Sequence, residues 1–311
     1  MSEEKQVKKI KGKEREDKFK KAGKLTRPIK ESLPEIVTPG KTLLEVAEWL
    51  ESKIREKGAE PAFPPNICVG NIAAHYTPEE GKQKVPEDEI IKIDFGANID
   101  GFSSDTAVSF YFGEEQQKKQ LINVAKEALE RGLTQIEDGT NLAKFGETVE
   151  SYVEEQGFNV VENLTGHLIE RYKLHGDKDI PVTSGAERVK AETGEVYGVE
   201  VFVTDGQGFA RSSEEVRIYS LASDLPERIR LRLKDARKVL YFLRQNRHEL
   251  PFTPRWLYPE LGRDTTKIGV SLLKRRGVLV SYPVLREQEE VTVAQAECTI
   301  LVTEEGVDIL T

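Results

Sequence analysis

Two carboxylates in the segment 90–112 are the strongest indication of chemistry in this sequence. Asp94 and Asp105 lie in apolar runs on either side of an Asp-Gly pair at 100–101, which is typical of a two-residue hairpin turn. Residues paired across an even-length loop have numbers with an odd sum, so both side chains share one face, directly opposite or one diagonal step apart. Two buried like charges at that distance repel and are desolvated. The pair therefore predicts a bound cation, whereas a single aspartate of this kind could simply face solvent.

Two glutamates show the same conflict between charge and surroundings. Glu200 in EVYGVEVF and Glu297 in VAQAECTILV interrupt runs that are apolar and rich in β-forming residues. An unpaired carboxylate buried in such a strand costs several kcal/mol. Because successive side chains of a strand point to opposite faces, Cys298 is expected to face away from whatever Glu297 binds.

Histidines add the nitrogen ligands that such a site needs. His75, His167 and His175 lie in segments flanked by Gly or Ala, whereas His248 is expected at the surface. A single histidine is more often structural than a metal ligand. The prediction of a metal site therefore depends on these histidines together with the carboxylates. Carboxylates with an imidazole suit Mn, Fe, Co or Zn in a two-metal hydrolase. HExxH, CxxC, GxxxxGK[ST] and GxSxG motifs are absent from the sequence.

Alternating strand and helix patterns must position these residues. Capping-box spacing at Thr42 and Glu45 predicts a helix that ends at Gly58. Further helices are predicted at 114–131, ending at Gly132, and at 142–156, between Asn141 and Gly157. Strands are predicted at 89–97, 102–112, 196–203 and 292–303. The interleaving indicates a mixed body of the α+β class.

Composition narrows the class of protein. The 311 residues suggest two domains, or one core with an insertion, and no apolar run approaches the length of a membrane span. Two cysteines and no export signal predict a cytoplasmic protein. Residues 1–25 carry a net charge of +5 and the rest −13, so the body does not resemble a nucleic-acid binder. Residues 1–18 are predicted to form a flexible basic arm.

Residues 223–284 form a separate pattern. A helical face from Leu231 to Leu243 is followed by the proline-rich LPFTPRWLYPEL, a second helix that ends at Gly277 and the short strand VLVSY. This order resembles a small winged-helix unit inserted into the main fold. A packing subdomain is favoured over DNA binding because its basic residues alternate with acids.

Five motifs in a fixed order indicate a known family. AAHYTP, KIDFG…IDG…SDTAV, GHLIERYKLH, GEVYGVEVF and AQAECTI together resemble the type II methionine aminopeptidases of the pita-bread fold. The resemblance extends from about Phe19 to Thr311 and includes PAFP at 61–64 and the insertion with LPFTPRWL. It implies a pita-bread catalytic domain over 19–222 and 285–311, with a helical, winged-helix-like insertion at 223–284.

The same resemblance implies a role for each matching position. It makes five residues the ligands of two divalent ions (Co, Mn, Fe or Zn): Asp94, Asp105, His167, Glu200 and Glu297. Asp105 and Glu297 would bridge the ions, and Glu200 would also handle a proton. His75 and His175 would be catalytic residues that contact the substrate. The methionine pocket would be lined by Phe63, Leu164, Leu174 and Tyr282.

The function expected from these residues is removal of the initiator methionine from nascent proteins and peptides with a small second residue. The expected enzyme is a monomer that acts on nascent N-termini, with ribosome contact through the arm and with neither membrane nor specific DNA as partner. One alternative is a binding module that keeps the fold, which the complete ligand set disfavours. The other is a proline-specific dipeptidase with the same ligands, which AAHYTP and the insertion disfavour.

Overall fold

The chain is organised around a large antiparallel sheet, seen in a computed structural model that describes residues 12–185 and 189–311. The strands are β1 Glu60–Pro61, β2 Asn66–Val69, β3 Ile72–Ala74, β4 Ile91–Phe95, β5 Ala97–Ile99, β6 Phe102–Ser103, β7 Thr106–Phe110, β8 Asn159–Val160, β9 Gly166–Leu168, β10 Asp179–Ile180, β11 Val196–Thr204, β12 Arg211–Leu221, β13 Leu279–Arg286, β14 Val293–Thr303 and β15 Gly306–Ile309. The helices are α1 Lys13–Glu31, α2 Leu33–Ile36, α3 Leu43–Glu56, α4 Gln116–Leu133, α5 Ala143–Glu155, α6 Lys234–Asn246, α7 Tyr258–Leu261 and α8 Arg263–Arg275.

The strands form three sheets. The large sheet runs β10-β9-β11-β14-β7-β4-β2, with β15 beside β14 and β8 beside β11. A second sheet has the order β12-β13-β3, and a third the order β1-β5-β6. The mixture of helix with antiparallel sheet confirms the predicted α+β class.

Helices cover one face of the large sheet. Val124 of α4 and Phe145 of α5 pack against Val199 and Cys298 of the two central strands. The predicted orientation of Cys298, away from Glu297, is confirmed because Cys298 lies in this core. The opposite face of β11 and β14 carries Glu200 and Glu297, so the sheet separates an apolar layer from a charged one.

Two local predictions are confirmed. Thr42 and Glu45 form a reciprocal capping box at the start of α3. The Asp-Gly pair closes the β5–β6 hairpin with positive φ angles, 54° at Asp100 and 92° at Gly101. Positive φ at both central residues is what a type I′ turn requires, and aspartate followed by glycine tolerates it well.

Gly132 has a different role from the one predicted. Helix α4 continues through it to Leu133. A Cβ atom on Gly132 would come within 2.5 Å of the Phe145 ring. The glycine is therefore there for close packing of α4 on α5, and it does not end the helix.

The start of the chain also differs from the prediction. Residues 1–11 of the predicted arm lie outside the described residues, but 13–18 form the first turns of α1. Arg15 lies 5.0 Å from the ring centre of Phe19, and Lys18 pairs with Asp100. The prediction of a flexible arm is therefore wrong for residues 13–18, which side-chain contacts hold in place.

The insertion contains the predicted helices, now α6 and α8, around a small core of its own that includes Val239, Leu243, Phe252 and Leu273. Strand β13 is longer than predicted and crosses the boundary placed at 284. It pairs with β12 and β3, so it is the central strand of the second sheet. Among the helices of residues 12–185 and 189–311, none has the length and apolar character needed to span a bilayer.

Candidate metal centre

Five neighbouring strands of the large sheet each contribute one of the side chains predicted as metal ligands. From one side of the sheet to the other, these are His167 on β9, Glu200 on β11, Glu297 on β14, Asp105 immediately before β7 and Asp94 on β4. Glu200 is paired directly with Glu297 across the two central strands. Like charges directly opposite each other destabilise a sheet. This row therefore needs positive charge from another source.

The two aspartates have one of the two predicted arrangements. Asp94 pairs with Ala107, so Asp105 is one diagonal step away on the same face. Ala107 also pairs with Glu297, which brings both aspartates close to the glutamate. The parity argument is thus confirmed in its diagonal form.

The centre of the row is compact and buried. Ligand atoms of Asp105, His167 and Glu297 lie within 4.8 Å of one another. His167 Nε2 is 3.5 Å from Asp105 Oδ2, and these residues are 4% and 3% exposed. A Cβ atom at Gly198 would come 3.0 Å from His167 Cε1 and 3.3 Å from Glu297 Oε1. Glycine at that position therefore lets the imidazole approach the carboxylate.

Several polar atoms of this centre have no hydrogen-bond partner among the described residues. Asp94 Oδ1, Asp105 Oδ1 and His167 Nδ1 are buried and unpaired. The donors that do reach the carboxylates are amides at long range: Gln295 Nε2 at 3.4 Å from both glutamates, and Asn66 Nδ2 at 3.2 Å from Asp94. Ionised carboxylates can only accept hydrogen bonds. Their oxygen atoms, together with an imidazole nitrogen of His167, are therefore suited to coordinate a divalent cation.

The electrostatics support the same conclusion. Burial raises the pKa of Asp94 to about 7. Burial, with repulsion from neighbouring carboxylates, raises the pKa values of Asp105, Glu200 and Glu297 well above their usual range. Burial lowers the pKa of His167 to about 4, which keeps the imidazole neutral and able to coordinate a metal. The unfavourable charge of this cluster is what a bound cation would offset.

Residues that sequence reasoning missed hold the ligands in place. Thr299 Oγ1 accepts from the backbone N–H of Asp105 and donates to its carbonyl, both at 2.7 Å. Thr106 Oγ1 donates to the carbonyl of Glu297 at 2.9 Å and accepts from Lys30 Nζ at 2.9 Å. Strand alternation could have found Gln295, two residues before Glu297 on the same face, but nothing local marks Lys30 or Thr299.

His75 and His175 line the same cavity as the five predicted ligands, and its volume is about 60 Å³. His75 follows β3 with a left-handed backbone, φ 64°, a strained conformation for a residue with a side chain. Its Nδ1 is 3.1 Å from the carbonyl of Pro283, which can only accept, so Nδ1 carries the proton. The ring centres of His175 and His167 are 4.2 Å apart. Burial lowers the pKa values of His75 and His175, so both are neutral.

The cavity brings together all eleven residues predicted for the site. The predicted pocket residues Phe63, Leu164, Leu174 and Tyr282 form a largely apolar part of its wall. Sequence reasoning missed Asn66, Ala74, Ile218 and Pro251, which also line it. His248 lies outside this cavity, exposed as expected, with its ring 4.1 Å from that of Tyr172.

The fold and this buried carboxylate–imidazole centre define a metal-dependent hydrolase of the pita-bread class. The model of metallopeptidase family M24 matches residues 17–220. A methionine aminopeptidase of Pyrococcus horikoshii is 38% identical over 95% of this chain and 99% of its own. One of Methanocaldococcus jannaschii is 35% identical over 95% and 98%. The chain therefore belongs to the methionine aminopeptidases of family M24.

A solved structure gives independent support for the fold. The structure of a thermophilic Arx1 matches with a TM-score of 0.81, covering 97% of this chain and 91% of the other, at 20% identity. At this level of identity, the structural match supports the predicted pita-bread fold and carries no information on function.

Proposed function

We propose that this chain removes the N-terminal methionine from nascent proteins and peptides whose second residue is small. The observation that carries the proposal is the cavity itself. Four carboxylates and His167 line it together with apolar side chains such as Phe63 and Leu174. Cations held by the carboxylates would polarise a peptide bond, and the apolar side chains would accept an unbranched side chain, which fits a methionyl exopeptidase.

The proposed cofactor is a pair of divalent ions: Co, Mn, Fe or Zn. The residues that would hold them are Asp94, Asp105, His167, Glu200 and Glu297, the set that the sequence resemblance implies, and ligand atoms of Asp105, His167 and Glu297 lie within 4.8 Å of one another. Such ions would supply Lewis acidity and would lower the pKa of water toward neutrality.

The protein's own groups divide the remaining work. Glu200 Oε2 accepts from Gln295, which leaves Oε1 to take up a proton during hydrolysis. His75 has its proton on Nδ1, so Nε2 is free to accept from the amide N–H of the substrate. His175, neutral and next to His167, donates its N–H to the developing oxyanion.

The apolar wall selects the first side chain. Phe63, Leu164 and Leu174 are buried beside the ligands and offer no hydrogen-bonding side-chain groups. Tyr282 contributes its ring, while its hydroxyl lies 3.2 Å from Ser220 Oγ. A flexible thioether chain is well suited to an irregular apolar pocket of this kind.

The helical insertion supports assignment to the type II enzymes. Helices α6 and α8 lie between β12 and β13, where the sequence resemblance places the element that separates type II from type I enzymes and from proline-specific relatives. We further propose that the enzyme is a cytoplasmic monomer.

Ribosome contact through the basic N-terminus completes the proposal. Because α1 begins at Lys13, the relevant truncation removes residues 2–11, which include Lys5, Lys8, Lys9 and Lys11. Peptide cleavage should not change. If these four charges contact phosphates, ribosome affinity should fall roughly as the fourth power of salt concentration. Equal co-sedimentation of both proteins with ribosomes at low salt would remove this part of the proposal.

A peptide panel tests the activity. Metal-free protein is incubated with Met-Ala, Met-Gly, Met-Leu and Ala-Pro peptides, with and without Mn²⁺ or Co²⁺. We expect metal-dependent release of methionine from the first two and little from Met-Leu. Cleavage of Ala-Pro alone would indicate a proline-specific dipeptidase, and no cleavage of any peptide would favour a binding module.

A further inference from the structure

A buried arginine connects the helical insertion to two walls of the cavity. Arg247, at the end of α6, is only 6% exposed. Its Nη1 donates to the carbonyl of Pro61 at 2.9 Å, and its Nη2 donates to the carbonyls of Ala62 at 2.7 Å and Pro251 at 2.6 Å. All three acceptors are backbone carbonyls, and they belong to two chain segments that are far apart in sequence.

Both segments end at the cavity. Ala62 directly precedes Phe63, and Phe63 and Pro251 themselves line the cavity next to the metal ligands. Phe63 packs with Ala62 and Leu174 in a small cluster of its own. The guanidinium therefore fixes the spacing between the wall at Phe63 and the wall at Pro251.

The chemistry of the contact requires arginine. A guanidinium presents several N–H groups in a rigid planar fork, whereas a lysine ammonium is a point charge on a flexible stem. Arg247 meets its three carbonyls from two nitrogens, and its Cζ lies 5.0 Å from the ring centre of Trp256. A lysine could keep the charge, but it could not hold all three carbonyls in one geometry.

We propose that Arg247 is a positioning residue that sets the width of the pocket for the first side chain, and thereby the preference for methionine. This inference rests on the proposed function because it concerns selectivity for the residue that is cleaved. It assigns to the insertion a part in substrate choice: the insertion supplies the cation that holds the Phe63 wall in position.

The test uses Arg247→Lys with Arg255→Lys as a matched control. Arg255 lies in the same insertion and donates to Glu51 of α3 at 2.7 and 3.1 Å and to the carbonyl of Pro78 at 3.3 Å, and neither of these partners lines the cavity. Both variants keep the charge and lose one buried guanidinium. A general loss of stability should therefore appear in both, and a change in the pocket only in the first.

The kinetic readout is the split between KM and kcat on peptides that begin with methionine or leucine and are otherwise identical. In Arg247→Lys we expect KM for the methionine peptide to rise about tenfold with kcat within about twofold, and the methionine-over-leucine ratio of kcat/KM to fall about tenfold. Arg255→Lys should leave that ratio unchanged. An unchanged ratio in Arg247→Lys, or an equal change in both variants, would overturn the proposal.

Amide hydrogen exchange separates this inference from the proposed function. Peptides that cover 60–66 should exchange faster in Arg247→Lys than in Arg255→Lys, because the carbonyls before Phe63 lose their donors. Unchanged exchange would overturn the proposed positioning role of Arg247 whether or not the enzyme is active. Wild-type protein that releases no methionine would refute the proposed function, while the exchange measurement would still test the role of Arg247.

A second variant covers the case in which Arg247→Lys does not fold. Trp256→Leu removes the ring under the guanidinium but keeps its hydrogen-bond partners. The methionine-over-leucine ratio should then fall by at least about twofold, since the guanidinium loses the aromatic ring that helps to hold it in place. No change in this variant would overturn the proposal.

Discussion

The cavity and the base of the insertion both bury charge, but they balance it in opposite ways. At the insertion, Arg247 donates to three backbone carbonyls from its two terminal nitrogens, although its Nε has no partner among the described residues, and Arg255 pairs with the carboxylate of Glu51. In the cavity, Asp94 and Asp105 each keep a buried oxygen without a partner in the part of the chain that the structure describes. Buried cations that meet acceptors of the protein itself hold chain segments together, whereas carboxylate oxygens that lack a donor mark the place where an external cation would bind.

Removing a ligand from the unsatisfied region should have the largest effect. Glu297→Ala should abolish methionine release and weaken binding of at least one ion, because Glu297 is 2% exposed at the centre of the row. Calorimetric titration with Mn²⁺ measures the metal affinity, and free methionine measures the activity.

Cys298→Ser is the neighbouring control. Cys298 faces the opposite layer, with Val199 and Phe145, so this variant should bind metal as the wild type does. An equal loss of metal in both variants would contradict the division of the sheet into an apolar face and a charged face.

His75→Ala should lower turnover without changing metal content. The side chain contacts Pro283 and the ring of Tyr282, and it lies outside the row of ligands. Loss of a group that acts in the transition state lowers kcat by about 10²–10⁴-fold. Metal analysis of the purified variant is the check. A fall in metal content in step with the rate would make His75 a ligand instead.

Breaking a satisfied pair should instead lower stability. Glu51→Ala would leave Arg255 without its carboxylate, and both side chains are largely buried. Removing one partner of a buried ion pair costs about 3–5 kcal/mol. Urea unfolding should therefore shift to lower concentration while metal affinity stays unchanged. Weaker metal binding with normal stability would reverse the two roles assigned here.

The stability of the metal-free protein should depend on pH, with a smaller effect than that of the substitutions above. Burial raises the pKa of Asp94 to about 7 and raises those of Asp105, Glu200 and Glu297 well above their usual range. A folded-state pKa above the unfolded value means that the folded protein binds more protons, so stability is lost as pH rises through the folded pKa. His75, His167 and His175 have lowered pKa values, so they reduce stability only as pH falls below about 6.5, their unfolded value.

The useful range is therefore pH 6.5 to 7.5. Chelated protein should lose up to about 1.4 kcal/mol of stability per pH unit for each of these carboxyl groups that is still protonated in the folded state. Thermal unfolding of chelated and Mn²⁺-loaded protein across this range measures the difference. Parallel curves for the two forms would mean that the carboxylates are already compensated by the protein.

Much of the site could be predicted from the sequence because the signal for each carboxylate lies in its immediate sequence neighbours. Asp94, Asp105, Glu200 and Glu297 each put a charge into an apolar β run, and strand alternation fixes which neighbours share their face. The hairpin turn at Asp100 gave the relation between the two aspartates. Assignment of the individual roles depended on family resemblance, and those roles stay predictions.

Contacts between distant segments could not be read in this way. Arg247 reaches carbonyls 185 and 186 residues away, and carbonyl acceptors carry no sequence signal. Gly132 resembles a helix stop but lies against Phe145, which depends on how α4 and α5 pack. The residues of α1 before Phe19 have almost no apolar character, and their helix is held by contacts such as that between Lys18 and Asp100.

The most direct test of the central claim is a titration of Mn²⁺ into chelated protein while methionine release from a Met-Gly peptide is followed. We predict no release without metal, a rise in rate as ions fill the carboxylate row, and a plateau at no more than two ions per chain. Methionine release that is independent of metal, or a fully loaded protein that releases none, would contradict the account.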